Sequence, residues 1–211
     1  MTFKFYDCAP APSPRRVRMF LAEKGMTVPT VQVDLRAGEH LTDAFRKLNP
    51  WGTVPVLELG DGTAISEASA CCRYIEEIHP VPPLLGRNPK ERAVVAMWDH
   101  RCEIDGFFAA AEAFRNEAKG MKGRALPGPL GHEQIPALAE RGKARVTHFF
   151  QVMNERLGES PFVAGDTFTV ADITTFVTIE FAGWLKLAPG EDAAALNRWL
   201  EAMRARPSAR G

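Results

Sequence analysis

The side chains able to do chemistry fall in three places. Tyr6, Cys8 and Ser13 stand close together near the start. A phenol or a hydroxyl can donate a hydrogen bond to an anion, and a thiol is a nucleophile once it becomes a thiolate, which a free thiol does near pH ~8.5. Ser13 is the one serine in that stretch, and lying before Pro14 it also suits the N-cap of a helix that begins at Arg15. The second place is Val54-Pro55, inside the alternating run 53–59. Proline within a strand ordinarily marks an edge, and a cis bond at the strand's start, where the backbone turns outward, reconciles the two signals. The third is Ser66-Glu67-Ala68, at the entry to a helical pattern. Unpaired N–H groups at a helix start attract a carboxylate, and an acid there also stabilises the helix dipole.

The cysteines Cys8, Cys71, Cys72 and Cys102 form no CxxC pair. That excludes a zinc framework and a disulfide scaffold, and reduced thiols in the cytoplasm fit best. No metal is expected. Cys71 and Cys72 read as core. Cys8 lies seven residues ahead of Arg15, too far for direct help from a helix dipole.

The elements that must position these groups read in order. Residues 3–6 alternate and form a strand. A helix runs from Arg16 to Gly25, a C-cap glycine. Residues 31–35 make a second strand, and 41–48 a short helix stopped by Asn49-Pro50. Strands at 53–59 and 63–65 join through the Asp61-Gly62 hairpin signal, and Ser66 caps a helix to Ile78. This is βαβ followed by ββα, over residues 1–80. The Pro-rich segment 81–88 is a linker, and 89–211 reads as all-helical. Its helices are expected at 89–118, 136–157, 170–185 and 193–205. Thr169 and Asp172 form a capping box before the third of them, with Phe168 and Ile173 as its staple.

Lys+Arg and Asp+Glu are both 26 in a chain of 211 residues, so no net positive charge invites nucleic acid or an anionic membrane. No apolar run reaches ~18 residues, so no membrane span is expected. The N-terminus shows no basic segment followed by an apolar one, so no secretory signal is expected.

Four local patterns, in this order, resemble the cytosolic glutathione transferase superfamily. They are Ser13-Pro-Arg-Arg-Val-Arg18, Gly38-Glu-His-Leu running into Asn49-Pro-Trp-Gly-Thr-Val-Pro55, Ser66-Glu-Ala68 leading to Tyr74-Ile-Glu76, and Phe168-Thr-Val-Ala-Asp-Ile173. The second is similar to theta-class members of bacterial type. The resemblance implies an α/β thioredoxin-like N-terminal domain (βαβ-ββα) plus an all-α C-terminal helical bundle. It implies conjugation of the glutathione thiolate to small hydrophobic electrophiles, glutathione as co-substrate and a homodimer.

Carried over by position, the main chain of Val54 before Pro55 holds the cysteinyl unit. Glu67 and the N–H of Ala68 hold the γ-glutamyl end, with Ala68 replacing the usual serine. His40 meets the glycine carboxylate, and Thr53 stands where some relatives carry a lysine. The usual catalytic serine position falls on Ala11, so Ser13 is the candidate donor, with Tyr6 and Cys8 behind it. Trp98, Phe107, Phe108 and Phe114 read as core or as walls of the acceptor pocket, and Asp105 as reaching the ligand's ammonium. Two other functions remain: a glutathione-dependent thiol-disulfide or reductive enzyme using Cys8, and a non-catalytic glutathione-binding scaffold.

Overall fold

The computed structural model describes residues 3–210. Within them the chain clusters into two compact units, residues 3–82 with 127–130, and residues 83–126 with 131–210.

The first unit is built on a sheet of order β2-β1-β3-β4. In β1 (Phe3–Asp7) Phe3, Phe5 and Asp7 turn inward while Lys4 is exposed, as a half-buried strand requires. β2 (Thr30–Gln32) runs parallel to β1, with Asp7 opposite Gln32. β3 (Val56–Leu59) is antiparallel to β1, and β4 (Ala64–Ser66) antiparallel to β3. The β3–β4 turn uses Gly62 at φ +86°, a conformation that glycine adopts at no steric cost, and the Asp61 carboxylate accepts from the Thr63 N–H. β2 is shorter than the expected 31–35, because Val33 turns into the core and Asp34 opens a turn by accepting from the N–H groups of Arg36 and Ala37.

Helix α1 spans Pro12–Glu23 and buries Val17, Met19, Phe20 and Leu21. It begins three residues before the expected Arg15. Two prolines fall in its first turn, where the missing N–H groups would have no helical partner anyway. Ala11 is therefore the N-cap, and Ser13 is not. Gly25 follows the helix at φ +64°, as the C-terminal signal implied. The turn Glu39–Leu41 and α2 (Asp43–Leu48) lead to the segment before β3, and α3 (Ala68–Ile78) buries Ala68, Cys71, Cys72, Ile75 and Glu76. Lys24, after α1, is buried and paired with Glu76 of α3.

The second unit is helical. α4 (Pro89–Arg101) passes through a π turn (Cys102–Phe107) into α5 (Phe108–Glu117), so the expected single helix is continuous but widened at its centre. Gly106 in that turn has no room for a side chain: a Cβ would lie 2.9 Å from the Phe149 ring and from Thr178. α6 (Pro136–Glu159) crosses α5 closely at Gly142, where a Cβ would lie 2.7 Å from the Ala109 carbonyl. α7 (Val170–Ala182) is buried along nearly its whole length. α8 (Ala194–Ala205) packs on α6, buries Leu196, Trp199, Leu200 and Met203, and reaches α7 through the Trp199 indole, which donates to Asp172. Among the described residues no helix is long and apolar enough to cross a membrane.

Candidate active site

The segment between α2 and β3 is shaped by one side chain. Asn49 is buried, and its amide donates to the Thr53 carbonyl at 2.8 Å and to the Thr53 hydroxyl at 3.1 Å. Its carbonyl oxygen accepts from the Trp51 N–H at 3.2 Å. Gly52 sits inside this loop at φ +59°, and a Cβ there would lie 3.0 Å from the His40 carbonyl, so the loop presses against the Glu39–Leu41 turn. His40, half-buried on that turn, is thereby brought beside the segment that leads to Val54. The Val54-Pro55 bond is cis, and β3 begins after it at Val56 rather than at Thr53. The proline conflict in the sequence disappears, since Pro55 precedes the ladder. Neither the N–H nor the C=O of Val54 is hydrogen-bonded to another described residue.

β4 ends at Ser66, which is therefore a strand residue and not the helix cap expected of it. Glu67 holds the cap position of α3 at φ 70°, ψ 131°, without capping by its own side chain. A non-glycine residue in such a sparsely populated conformation costs on the order of 1–3 kcal/mol, and such residues cluster at ligand-binding positions. Its carboxylate is exposed, while Ala68 behind it is buried. The first hydrogen bond of the helix runs from the Cys71 N–H to the Glu67 carbonyl. The N–H groups of Ala68, Ser69 and Ala70 are thus the donors a helix start leaves over, groups of the kind that attract an anion.

The turn before α1 lies against the same segment. Cys8, Val33, Phe45, Val54 and Val56 form a buried cluster, with Tyr6 and Ala11 packed on it. Pro12 and Pro14 have no N–H and the Arg15 N–H bonds to Ala11. The Ser13 N–H is then the first-turn donor with no partner among the described residues. Ser13 is half-buried, and its hydroxyl oxygen accepts from Arg16 at 3.4 Å, which leaves the hydroxyl proton to point elsewhere.

The other two candidates fare worse. The Tyr6 hydroxyl already donates to Glu58 at 2.9 Å, and burial together with that carboxylate raises its pKa. Burial likewise pushes the Cys8 thiol up, against weaker opposing hydrogen bonds from Leu35 and Ala11. Neither a committed phenol nor a suppressed thiolate suits thiol chemistry near neutral pH.

Sequence reasoning missed Asn49, treated there only as a helix stop, although an Asn-Pro pair is a recognised turn signal. It also missed Asp7, Arg18 and Gln32, which grip the turn before α1. Within the helical unit Trp98 lines a cavity of about 380 Å³ with Arg101, Asp105, Arg145 and Phe149. Asp105 pairs there with Arg145 at 3.5 Å. Phe107 and Phe114 instead join Phe181 and Trp184 in an aromatic cluster, with Phe108 on its exposed edge. Among the described residues no group of His, Cys, Asp or Glu could hold a metal ion.

Both units are similar to known proteins. Residues 11–78 match the glutathione S-transferase N-terminal domain family, and residues 97–207 the C-terminal domain family. Glutathione S-transferase 2 of Saccharomyces cerevisiae is 38% identical over 96% of this chain and 86% of its own length. The crystal structure of a glutathione S-transferase domain-containing protein from Marinobacter aquaeolei superposes with a TM-score of 0.90 at 41% identity, over 97% of this chain and 98% of that one. The crystal structure of Gtt2 from Saccharomyces cerevisiae gives a TM-score of 0.90 at 36% identity, over 98% of both chains.

Proposed function

The chain belongs to the glutathione S-transferase family, and on that premise we propose that its first unit binds glutathione and activates its thiol for attack on small hydrophobic electrophiles. The observation that carries this reading is the unengaged main chain of Val54, beside the entry to α1. An extended peptide pairs with such a strand-like donor and acceptor. The cysteinyl unit of glutathione is held there, next to Pro55. Its γ-glutamyl carboxylate meets the N–H groups of Ala68 and its neighbours, and Glu67 pairs with its ammonium. The glycine end lies toward His40, with Thr53 held by Asn49 behind it.

The thiol then faces the first turn of α1. The Ser13 hydroxyl and N–H stabilise the thiolate, and the proton leaves to solvent. The sulfur attacks the electrophilic carbon, a C–S bond forms, and the leaving group departs with its electron pair. We read the protein as a cytoplasmic homodimer. The four cysteines, all free thiols, support the reducing compartment.

Calorimetry tests the binding half. Glutathione is expected to bind saturably, and Glu67→Ala to weaken it about tenfold, the loss of ~1.4 kcal/mol from one charged contact. Absence of binding heat at millimolar glutathione removes the reading. Binding without turnover of any activated aryl halide leaves the scaffold alternative instead.

A further inference from the structure

Four residues around the turn before α1 form a closed ring of hydrogen bonds. Asp7, the last residue of β1, is 1% exposed and uses both carboxylate oxygens. One accepts from Arg18 Nη1 at 2.5 Å, the other from Gln32 Nε2 at 2.7 Å. Arg18 and Gln32 then reach past the carboxylate to the same peptide unit. Arg18 Nη2 donates to the Ala9 carbonyl at 2.8 Å, and Gln32 Oε1 accepts from the Ala9 N–H at 2.9 Å. Arg18 also approaches the Cys8 carbonyl at 3.4 Å. The same Cys8 carbonyl accepts from the Ala11 N–H at 2.8 Å, which closes the turn onto the helix cap.

Three separate elements supply this ring: β1 gives Asp7, β2 gives Gln32 and α1 gives Arg18. A buried carboxylate with one charged and one neutral donor is costly to leave half-satisfied, so the ring holds together or fails together. Its main hold is on Ala9, with the longer contact to the Cys8 carbonyl beside it, ahead of the Pro10-Ala11-Pro12-Ser13 stretch. Prolines at 10, 12 and 14 leave that stretch few backbone freedoms. A displacement imposed at Ala9 therefore passes rigidly into the first turn of α1. On the facing side Asn49 holds Thr53, and Val54 packs in the same buried cluster as Cys8 and Ala11, so a shift of the turn is a shift relative to Val54.

We infer that Asp7, Arg18 and Gln32 are positioning residues for the thiol: they fix the first turn of α1 against the Val54 segment and do not themselves touch the ligand. The inference rests on the glutathione reading above. Hydrogen bonds to a forming thiolate reward correct placement steeply, and errors of an ångström are costly in rate. Loosening the ring should thus impair thiol activation while leaving the binding of the peptide, held at Val54, Glu67 and Ala68, nearly intact.

The test uses the full chain, glutathione and an activated aryl chloride. Gln32→Ala removes an exposed side chain from the ring, and Arg18→Lys keeps the charge but cannot bridge Asp7 and Ala9. Thermal melting verifies that each variant is folded. Both are expected to lower kcat about 5- to 10-fold and to raise the pKa of bound glutathione, followed by thiolate absorbance, by roughly 0.5–1 unit. KM for glutathione is expected to stay within about twofold, where Glu67→Ala raises KM about tenfold. Folded variants with an unmoved thiol pKa, or with losses confined to KM, overturn the inference while leaving the glutathione reading in place. A wild-type protein that binds glutathione but gives no thiolate signal overturns it too, and one that binds no glutathione overturns both.

Discussion

Ser13 concentrates the chemical question in one side chain. Arg16 donates to its oxygen, so its own proton is available, and charge on the donor side strengthens the outward bond. Its N–H is a second donor in the same turn, and a helix N-terminus favours an anion over its first turn. Ser13→Ala removes the hydroxyl and keeps the N–H. Turnover is expected to fall about tenfold, the loss of roughly one hydrogen bond to a charged group, with little change in glutathione affinity. Measurement of kcat and KM on Ser13→Ala checks this, and an unchanged kcat assigns the thiolate to the main chain alone. Tyr6→Phe is the natural control, because the Tyr6 proton belongs to Glu58.

At the scale of the element, the entry to α7 is the clearest case of a short motif with a long reach. Thr169 and Asp172 form the capping box that their spacing implies. The Asp172 carboxylate also accepts from the Val163 N–H at 2.9 Å and from the Trp199 indole at 3.1 Å, joining the preceding loop, α7 and α8. Burial raises its pKa to about 6, against the lowering effect of those donors. The folded state thus binds a proton more tightly than the unfolded chain, whose carboxyl titrates near 3.8. As pH rises through that interval the folded state alone carries the proton, so stability from this group falls, and above about 6 it is lost. Asp172→Asn is expected to cost about 2 kcal/mol or more at pH 7 by leaving donors unmatched. The gap should widen as pH falls from about 6 toward 4. Denaturant unfolding of both proteins across that range checks the sign, and a gap independent of pH would refute it.

For the whole molecule, the expected assembly is a symmetric pair of chains. A closed two-fold dimer is the commonest arrangement of soluble oligomers, and the first unit leaves Trp51 and Val81 67% and 71% exposed. Light scattering at micromolar concentration is expected to give twice the chain mass of 23.3 kDa. A single-chain mass there would refute the dimer. The apolar residues left outside, among them Leu126, Leu130, Phe108 and Trp184, occur on both units.

The sequence by itself determined what depends on local spacing. The alternation at 3–6, the Asp61-Gly62 turn, the Thr169–Asp172 box and the glycine after α1 each act within a few residues, and each occurs where its spacing placed it. The family followed from short motifs in fixed order, because those motifs are themselves local backbone devices. Helix starts near proline were harder. Pro12 and Pro14 suit a first turn as well as a loop, so α1 begins at Pro12 and takes Ser13 inside it. Ser66 and Glu67 exchanged roles for a related reason: a serine caps well in general, but here the β3–β4 ladder continues through Ser66 and forces the turn onto Glu67. What only the tertiary structure decided is which polar side chains grip which backbone. Asp7 meets Gln32 because β1 and β2 lie parallel and in that register, and Arg18 because α1 folds back over the same strand end. Asp172 finds Trp199 only when α8, packed on α6, brings its indole to the start of α7. Such partners are set by the packing of elements far apart in the chain, and no spacing rule along one strand or helix encodes them.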